Sequence, residues 1–417
     1  MSKKKILMLS DHALSTSGVG VQSRHLINGL LQKNKWTVRQ FGAAIKHNDY
    51  DVVKVTDDFI IKPVDGFGTV DMIRQTIAAE KPDILLLFTD PRFFIWLWQI
   101  EDEIHQICPI AYWHVWDNYP FPKFNAPYYE ATDLINCHSH LTYTMLKEHY
   151  PDKVNFIPHA LPDELYFKMS PDEIKDAKIR ALGYNKKDHF VAFWMNRNAR
   201  RKRPNDVLVA WKIFLEKQEE LHGERPKALL LMHTDPNDSE GPNLFAAADS
   251  LGIGETIVFS TDRIDFQQIN TLHNISDVCV NMSYAEGFGL ATLEAMQTGT
   301  PIIAAKTGGL TRQVVDHRDG TENGVAVDVT LRSLVGSQAV PYIYEDYVDV
   351  NSVASAITKI YNMSEQEKEE LSDKVLSYVK SEFNFQTTID LWDKTLDETI
   401  DNWKDKYDRI VLEEITP

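Results

Sequence analysis

The stretch from Ser283 to Gly308, S-Y-A-E-G-F-G-L-A-T-L-E-A-M-Q-T-G-T-P-I-I-A-A-K-T-G, limits the chain to few folds. Ahead of its turn Val278 to Met282 is an apolar run of strand length, and Pro301 to Ala305 is a second. Between them Leu290 to Gln297 consists of good helix formers with Leu290, Leu293 and Met296 on one face; Gly299 and Pro301 end it. Gly287 and Gly289 offer a sharp passage from strand to helix, with φ > 0 open to residues that lack Cβ. Such a passage aims unpaired backbone N–H groups and the positive end of a helix dipole at one point, which suits an anion. Two carboxylates share that setting. Glu286 lies in the turn and Glu294 follows after seven residues, about two helical turns further along. A carboxylate repels a phosphate that it touches, so this pair has to address other parts of one ligand. Sugar hydroxyls at one end and ribose hydroxyls at the other fit.

The rest of the chain alternates in the same manner. Strand-like runs at Ile6–Leu9, Thr37–Phe41, Val52–Val55, Ile84–Phe88 and Ile110–Trp113 are separated by helical patterns such as Val21–Leu31. A second series follows at Phe190–Met195, Ala228–Met232, Ile257–Ser260 and the two runs already named. Alternation of this kind predicts parallel sheets with helices on both faces. In such sheets ligands bind beyond the carboxyl ends of the strands. With 417 residues, two domains are expected. Val154–Phe167, V-N-F-I-P-H-A-L-P-D-E-L-Y-F, is rich in proline turns and suits the junction.

The string E-G-F-G-L-A-T-L-E-A-M-Q-T-G-T-P resembles the E-x7-E signature of the retaining family 4 glycosyltransferases (glycosyl transferase group 1). That resemblance implies the α/β GT-B fold, two Rossmann-like, doubly wound parallel-sheet domains facing across a cleft. It places an N-terminal, acceptor-side domain at 1–160, a nucleotide-sugar domain at 161–389, and a C-terminal helix at about 390–417 packed back on the first. Phe385, Ile389, Trp392 and Leu396 stand at near-helical spacing in that tail. By the match Glu286 binds the donor sugar and Glu294 the ribose, while the turn Gly287, Phe288, Gly289 and Leu290 supplies amides to sugar and phosphate. N-R-N-A-R-R-K-R-P, directly after the Phe190–Met195 strand, resembles the family's R-x4-K element, in which Arg197 and Lys202 would grip the diphosphate. Arg200, Arg201 and Arg203 are expected to be solvated. Gly18 and Gly20 in S-T-S-G-V-G-V-Q match the glycine-rich loop that approaches donor phosphates and acceptor, and His114 matches a histidine near the transferred sugar. At the hinge, His159 and Ala160 stand where the family carries Asn and Gly.

Bulk properties exclude several classes. A net charge of −17 argues against a nucleic-acid partner. Roughly ten of the net negative charges lie from Pro341 onward. Cys108, Cys137 and Cys279 sit in apolar contexts and read as reduced thiols of a cytoplasm-like compartment. Ile6–Leu9 is too short for a signal-peptide core, and no apolar run approaches membrane-spanning length. The aromatic run Pro91–Ile100 is expected to be a core helix, with an acceptor groove or a peripheral membrane contact as its alternatives. Asp49-Tyr50-Asp51 precedes an apolar run instead of following one and reads as a surface turn, and His138 and His140 lack a second ligand cluster. No metal or other cofactor is therefore expected beyond a nucleotide-diphosphate sugar as co-substrate, with an unidentified acceptor. Two further functions stay open on sequence grounds: a nucleotide-sugar epimerase of the same fold, and a non-catalytic binding subunit.

Overall fold

A computed structural model describes residues 3–406, with side chains to Trp403. The chain divides into two units. The first runs to Trp116, resumes from Phe121 to His159 and takes up the chain again at Gln386; the second comprises Asp117–Pro120 and Ala160–Phe385.

The first unit holds an eight-stranded sheet: β1 (Lys4–Asp11), β2 (Trp36–Ala43), β3 (Val53–Lys54), β4 (Phe59–Pro63), β5 (Ile84–Phe88), β6 (Ile110–His114), β7 (Leu134–Cys137) and β8 (Val154–Phe156). Their order across the sheet is β3-β4-β2-β1-β5-β6-β7-β8, parallel except for the β3 stub. Both faces of the central strands are buried, so β5 is I-L-L-L-F without polar alternation. The helix Phe385–Lys406 completes this unit. Its Trp392 is fully buried and meets Trp113 at 4.7 Å, while Ile389 fills the space that a side chain at Gly29 would claim. On its polar stripe Asp393 accepts the Trp36 indole N–H at 2.6 Å, and Asp397 and Asp401 pair with Lys4. The part of the expected tail helix at 407–417, like Met1, lies outside the described residues.

The second unit is built on a six-stranded parallel sheet: β9 (Phe190–Met195), β10 (Ala228–His233), β11 (Ile257–Ser260), β12 (Val278–Asn281), β13 (Ile302–Ala305) and β14 (Gly324–Val327). The order is β11-β10-β9-β12-β13-β14. The chain winds outward from β9 in one direction, then returns to β12 on its other side. The reversal between β9 and β12 is where an open α/β sheet binds ligands. An antiparallel hairpin, β15 (Val329–Val335) and β16 (Ile343–Val348), follows β14.

Several elements differ from the sequence expectation. β7 and β8 are four and three residues long, too short for a periodicity signal. β14 opens with Gly324, which reads as a turn; a Cβ there would lie 2.0 Å from the Ile302 carbonyl oxygen, so glycine is required by the close neighbouring strand. Val52–Val55 contributes only the β3 stub. The aromatic run is not one core helix but a 3₁₀ turn, Pro91–Phe94, and a single helical turn, Ile95–Trp98. Phe94 and Leu97 are buried, whereas Phe93 and Ile95 are 56% and 49% exposed. Asp49–Asp51 is exposed irregular chain. The three cysteines are buried and free. Among the described residues no helix is long and apolar enough to cross a membrane.

Candidate active site

The basic turn after β9 and the acidic turn after β12 leave adjacent strands at the reversal point, and the structure brings them together. Arg200–Lys202 forms a 3₁₀ turn, Arg203 adopts left-handed backbone, and the helix Pro204–His222 begins with proline in its first turn. The Tyr284 N–H donates to the Arg201 carbonyl at 2.9 Å, which ties the two turns. Lys202 Nζ donates to Glu286 Oε2. Their side chains are 9% and 12% exposed. The Ser283 hydroxyl donates to the same oxygen at 3.2 Å, and Arg201 Nη1 lies 4.0 Å from it. Burial opposes the charged form of Glu286, yet Lys202, Arg201 and the Ser283 hydroxyl outweigh it and hold the carboxyl below its usual pKa. For Lys202 burial dominates and lowers the ammonium pKa, against the pull of Glu286. All three partners use Oε2, leaving Oε1 as the acceptor that Glu286 can turn to a hydroxyl.

Left-handed backbone in the acidic turn falls on Gly289 (φ 93°) and not, as the glycine pair suggested, on Gly287. Gly289 caps the helix Leu290–Gln297 with no side-chain hydrogen bond to its first amides. That leaves N–H groups of the first turn for an anion. The turn is held from beneath by residues the sequence reading passed over. Gln313, fully buried, donates to the carbonyls of Phe288 (2.7 Å) and Gly289 (3.1 Å), and accepts from the Thr292 hydroxyl at 2.6 Å. Gly309 N–H donates to the Glu286 carbonyl at 2.9 Å. A Cβ on Gly308 (φ 50°) would lie 2.0 Å from that carbonyl oxygen, and one on Gly309 would lie 2.5 Å from the Gly287 oxygen. The double glycine after β13 was the available signal.

The other residues singled out have separate surroundings. Arg197 turns to Asp238 in a two-pronged pair at 2.7 and 3.1 Å, with its side chain 64% exposed. Glu294, on the helix Leu290–Gln297, lies 3.4 Å from Nε2 of the fully buried His273. Two of the arginines expected to be solvated are engaged. Arg200 donates to Glu345 at 2.6 Å, and Arg203 is packed between Tyr284 (4.7 Å) and Tyr347 (5.2 Å) and paired with Asp206. Planar guanidinium groups stack on rings, which is why Arg203 can be buried.

In the first unit, Gly18 opens the helix Gly18–Gln32 after β1, and Ser17 caps it by accepting from Gly20 N–H at 3.0 Å while donating to Asp11 at 2.6 Å. A Cβ on Gly20 would strike the His12 carbonyl at 2.6 Å, so this glycine serves close packing of the loop. His114 ends β6, fully buried, with Nε2 3.1 Å from the Tyr129 hydroxyl, and burial pushes its pKa down to about 3. His159 stacks on His138 at 4.3 Å. Among the described residues no group of three or more His, Cys, Asp or Glu could hold a metal ion.

Fold and site thus define a two-unit α/β protein of the GT-B class. Residues 175–335, within the second unit, match the family described as Glycosyl transferases group 1. Curated relatives include D-inositol 3-phosphate glycosyltransferase 2 of Catenulispora acidiphila, 31% identical over 137 residues (32% of this chain, 31% of the relative). D-inositol 3-phosphate glycosyltransferase of Stackebrandtia nassauensis is 32% identical over 171 residues (41% and 37%). The match therefore spans about a third of these relatives' length. Among solved structures, sucrose-phosphate synthase from Thermosynechococcus elongatus superposes with a TM-score of 0.75 at 17% identity, covering 96% of this chain and all of that one. Anabaena HepE in complex with UDP and glucose gives 0.67 at 17% identity, covering 94% and 99%.

Proposed function

We propose that the protein is a retaining, metal-independent glycosyltransferase that moves a sugar from a nucleoside-diphosphate sugar to an acceptor. The observation that carries this is the buried Lys202–Glu286 pair at the reversal between β9 and β12, beside the uncapped helix start at Gly289. Breaking the bond between the anomeric carbon and the phosphate oxygen puts negative charge on the leaving diphosphate. Lys202, with Arg201 and Arg197 on the same turn and the amides of Phe288, Gly289 and Leu290, would meet that charge. Such fixed charge is often the largest catalytic contribution. Glu286 accepts from a sugar hydroxyl through Oε1, and Glu294 from the ribose. Retention follows from attack on the face the phosphate leaves: the acceptor oxygen bonds to the anomeric carbon, and the acceptor's proton passes to the departing phosphate oxygen. Roles for Gly18, Gly20 and His114 rest on the sequence resemblance.

UDP-glucose is the first donor to try, since solved relatives of the fold hold UDP and glucose. The test is NMR of purified protein with donor, with and without a panel of sugar, lipid and polyol acceptors. A glycosylated product that keeps the anomeric configuration and forms in EDTA supports the proposal. Isomerised donor sugar without acceptor would make the protein an epimerase, and tight nucleotide binding with no donor consumption would make it a binding subunit; either result overturns the transferase.

A further inference from the structure

Two consecutive acidic residues on β16 reach three turns of the candidate site in the second unit. The Asp346 N–H donates to the Tyr284 carbonyl at 2.8 Å, two residues before Glu286. Its fully buried carboxylate accepts at Oδ2 from the Thr307 hydroxyl (2.8 Å) and from Asn118 Nδ2 (2.8 Å), and at Oδ1 from Arg332 Nε (2.6 Å). Thr307 begins the double-glycine turn whose Gly309 holds the Glu286 carbonyl. Next to it, Glu345 accepts from Arg200 at 2.6 Å and from the Tyr347 hydroxyl at 2.8 Å. The Tyr347 ring lies 4.5 Å from that of Tyr284 and forms the second wall around Arg203. Asn118 belongs to the short excursion Asp117–Pro120 of the first half of the chain into this unit. It also donates to the Tyr344 carbonyl at 3.1 Å, and the Tyr119 carbonyl accepts from Tyr344 N–H at 2.8 Å.

Sheet pairing does not require these contacts. β15 and β16 pair only with each other, and Leu331 and Leu334 of β15 are 61% and 58% exposed. The hairpin adds little core. What it does is fix the 200–203 turn through Glu345 and Tyr347, and the 284–286 and 307–309 turns through Asp346. A charged hydrogen-bond network of this kind is strong only when every member is satisfied, and the Asp346 carboxylate is satisfied on both oxygens.

We infer that the β15–β16 hairpin is a brace for the donor site and that Asp346 is its positioning residue. Resting on the function proposed above, the brace sets the distance between Lys202 and Glu286 without touching substrate. A displacement of a fraction of an ångström there is felt in turnover more than in binding.

The test compares wild type, Asp346→Asn, Thr307→Val and, as a control, Leu334→Gln on the exposed face of β15. Two readouts are taken: amide hydrogen exchange of the free protein, and donor kinetics with UDP-glucose. Expected for Asp346→Asn and Thr307→Val is faster exchange at Tyr284–Leu290 with β9 and β12 still protected. Turnover should fall on the order of tenfold or more with KM for donor little changed, while Leu334→Gln behaves as wild type. Exchange spread over the whole unit would reduce Asp346 to a stability residue, and unchanged exchange and kinetics in both variants would remove the brace; each overturns the inference. Should wild type consume no nucleoside-diphosphate sugar with any of the acceptors, the transferase is refuted instead, and the exchange data still decide the brace.

Discussion

Replacing Lys202 by methionine keeps length and apolar stem but leaves Glu286 buried with only the Ser283 hydroxyl and the more distant Arg201. Removing one member of a buried ion pair costs about 3–5 kcal/mol. The remaining partners and the slight exposure of Glu286 put this case near the lower end, about 3 kcal/mol at neutral pH. For a unit of this size, about 2–4 °C of melting temperature per kcal/mol gives a drop on the order of 6–12 °C. The pH dependence fixes the cause. Wild-type Glu286 is held below its ordinary pKa, so its contribution is present above the ordinary carboxylate value and is lost as pH falls through the folded value. In the variant its pKa moves upward instead. The deficit is then full at pH 7 and narrows as the carboxyl takes up a proton on acidification. Differential scanning fluorimetry from pH 7 to pH 4 measures this, and Glu286→Leu added to Lys202→Met should recover more than half of the loss. Donor turnover should fall by about two to three orders of magnitude, as for other preorganised charges. An unchanged melting temperature at pH 7, or a deficit that does not depend on pH, would refute the burial and coupling argued for this pair.

Three further outcomes are expected. Gly308→Ala should abolish most turnover while leaving the fold intact by circular dichroism, because its Cβ would meet backbone, the Glu286 carbonyl oxygen, which has to move. Trp392→Ala should cost about 3–5 kcal/mol in chemical denaturation of the first unit, since it empties a fully buried site beside Trp113. Burial lowers the pKa of His25 to about 4 and that of His114 to about 3, so the unfolded chain binds more protons below its ordinary histidine pKa. The first unit should therefore lose stability as pH falls from about 6.5 towards 4, against an opposing contribution from His105, where Asp133 and Glu101 raise the pKa over the effect of burial. His114→Gln should flatten that slope in pH-dependent urea melts.

The site was legible in sequence where its chemistry is contiguous. Lys202 and Glu286 each stand in the turn that follows a strand-length apolar run, and strand ends next to the reversal of a parallel sheet are adjacent in space. Gln313, Asn118 and Asp346 carried no such signal. Each is a polar residue far along the chain whose importance comes from the carbonyl or hydroxyl it meets after folding. Arg203 shows the opposite failure: a charge run suggested solvent, yet two tyrosines, one of them from β16, enclose its guanidinium. Arg197 and Glu294 lie on the elements expected, but Asp238 and His273 are their partners in the free protein. For the fold, long apolar runs predicted the central strands, while the edge strands β8 and β14 are too short or begin with glycine.

The return of Phe385–Lys406 to the first unit has a bearing on synthesis. More than two hundred residues separate His159 from Gln386, and at about 5–20 residues per second they take the ribosome on the order of ten seconds or longer. During that interval the nascent first unit lacks the indole that covers Trp113 and the carboxylate that satisfies Trp36. The later-made half can thus mature before the earlier one, and an exposed tryptophan surface waits for Phe385–Lys406 to emerge.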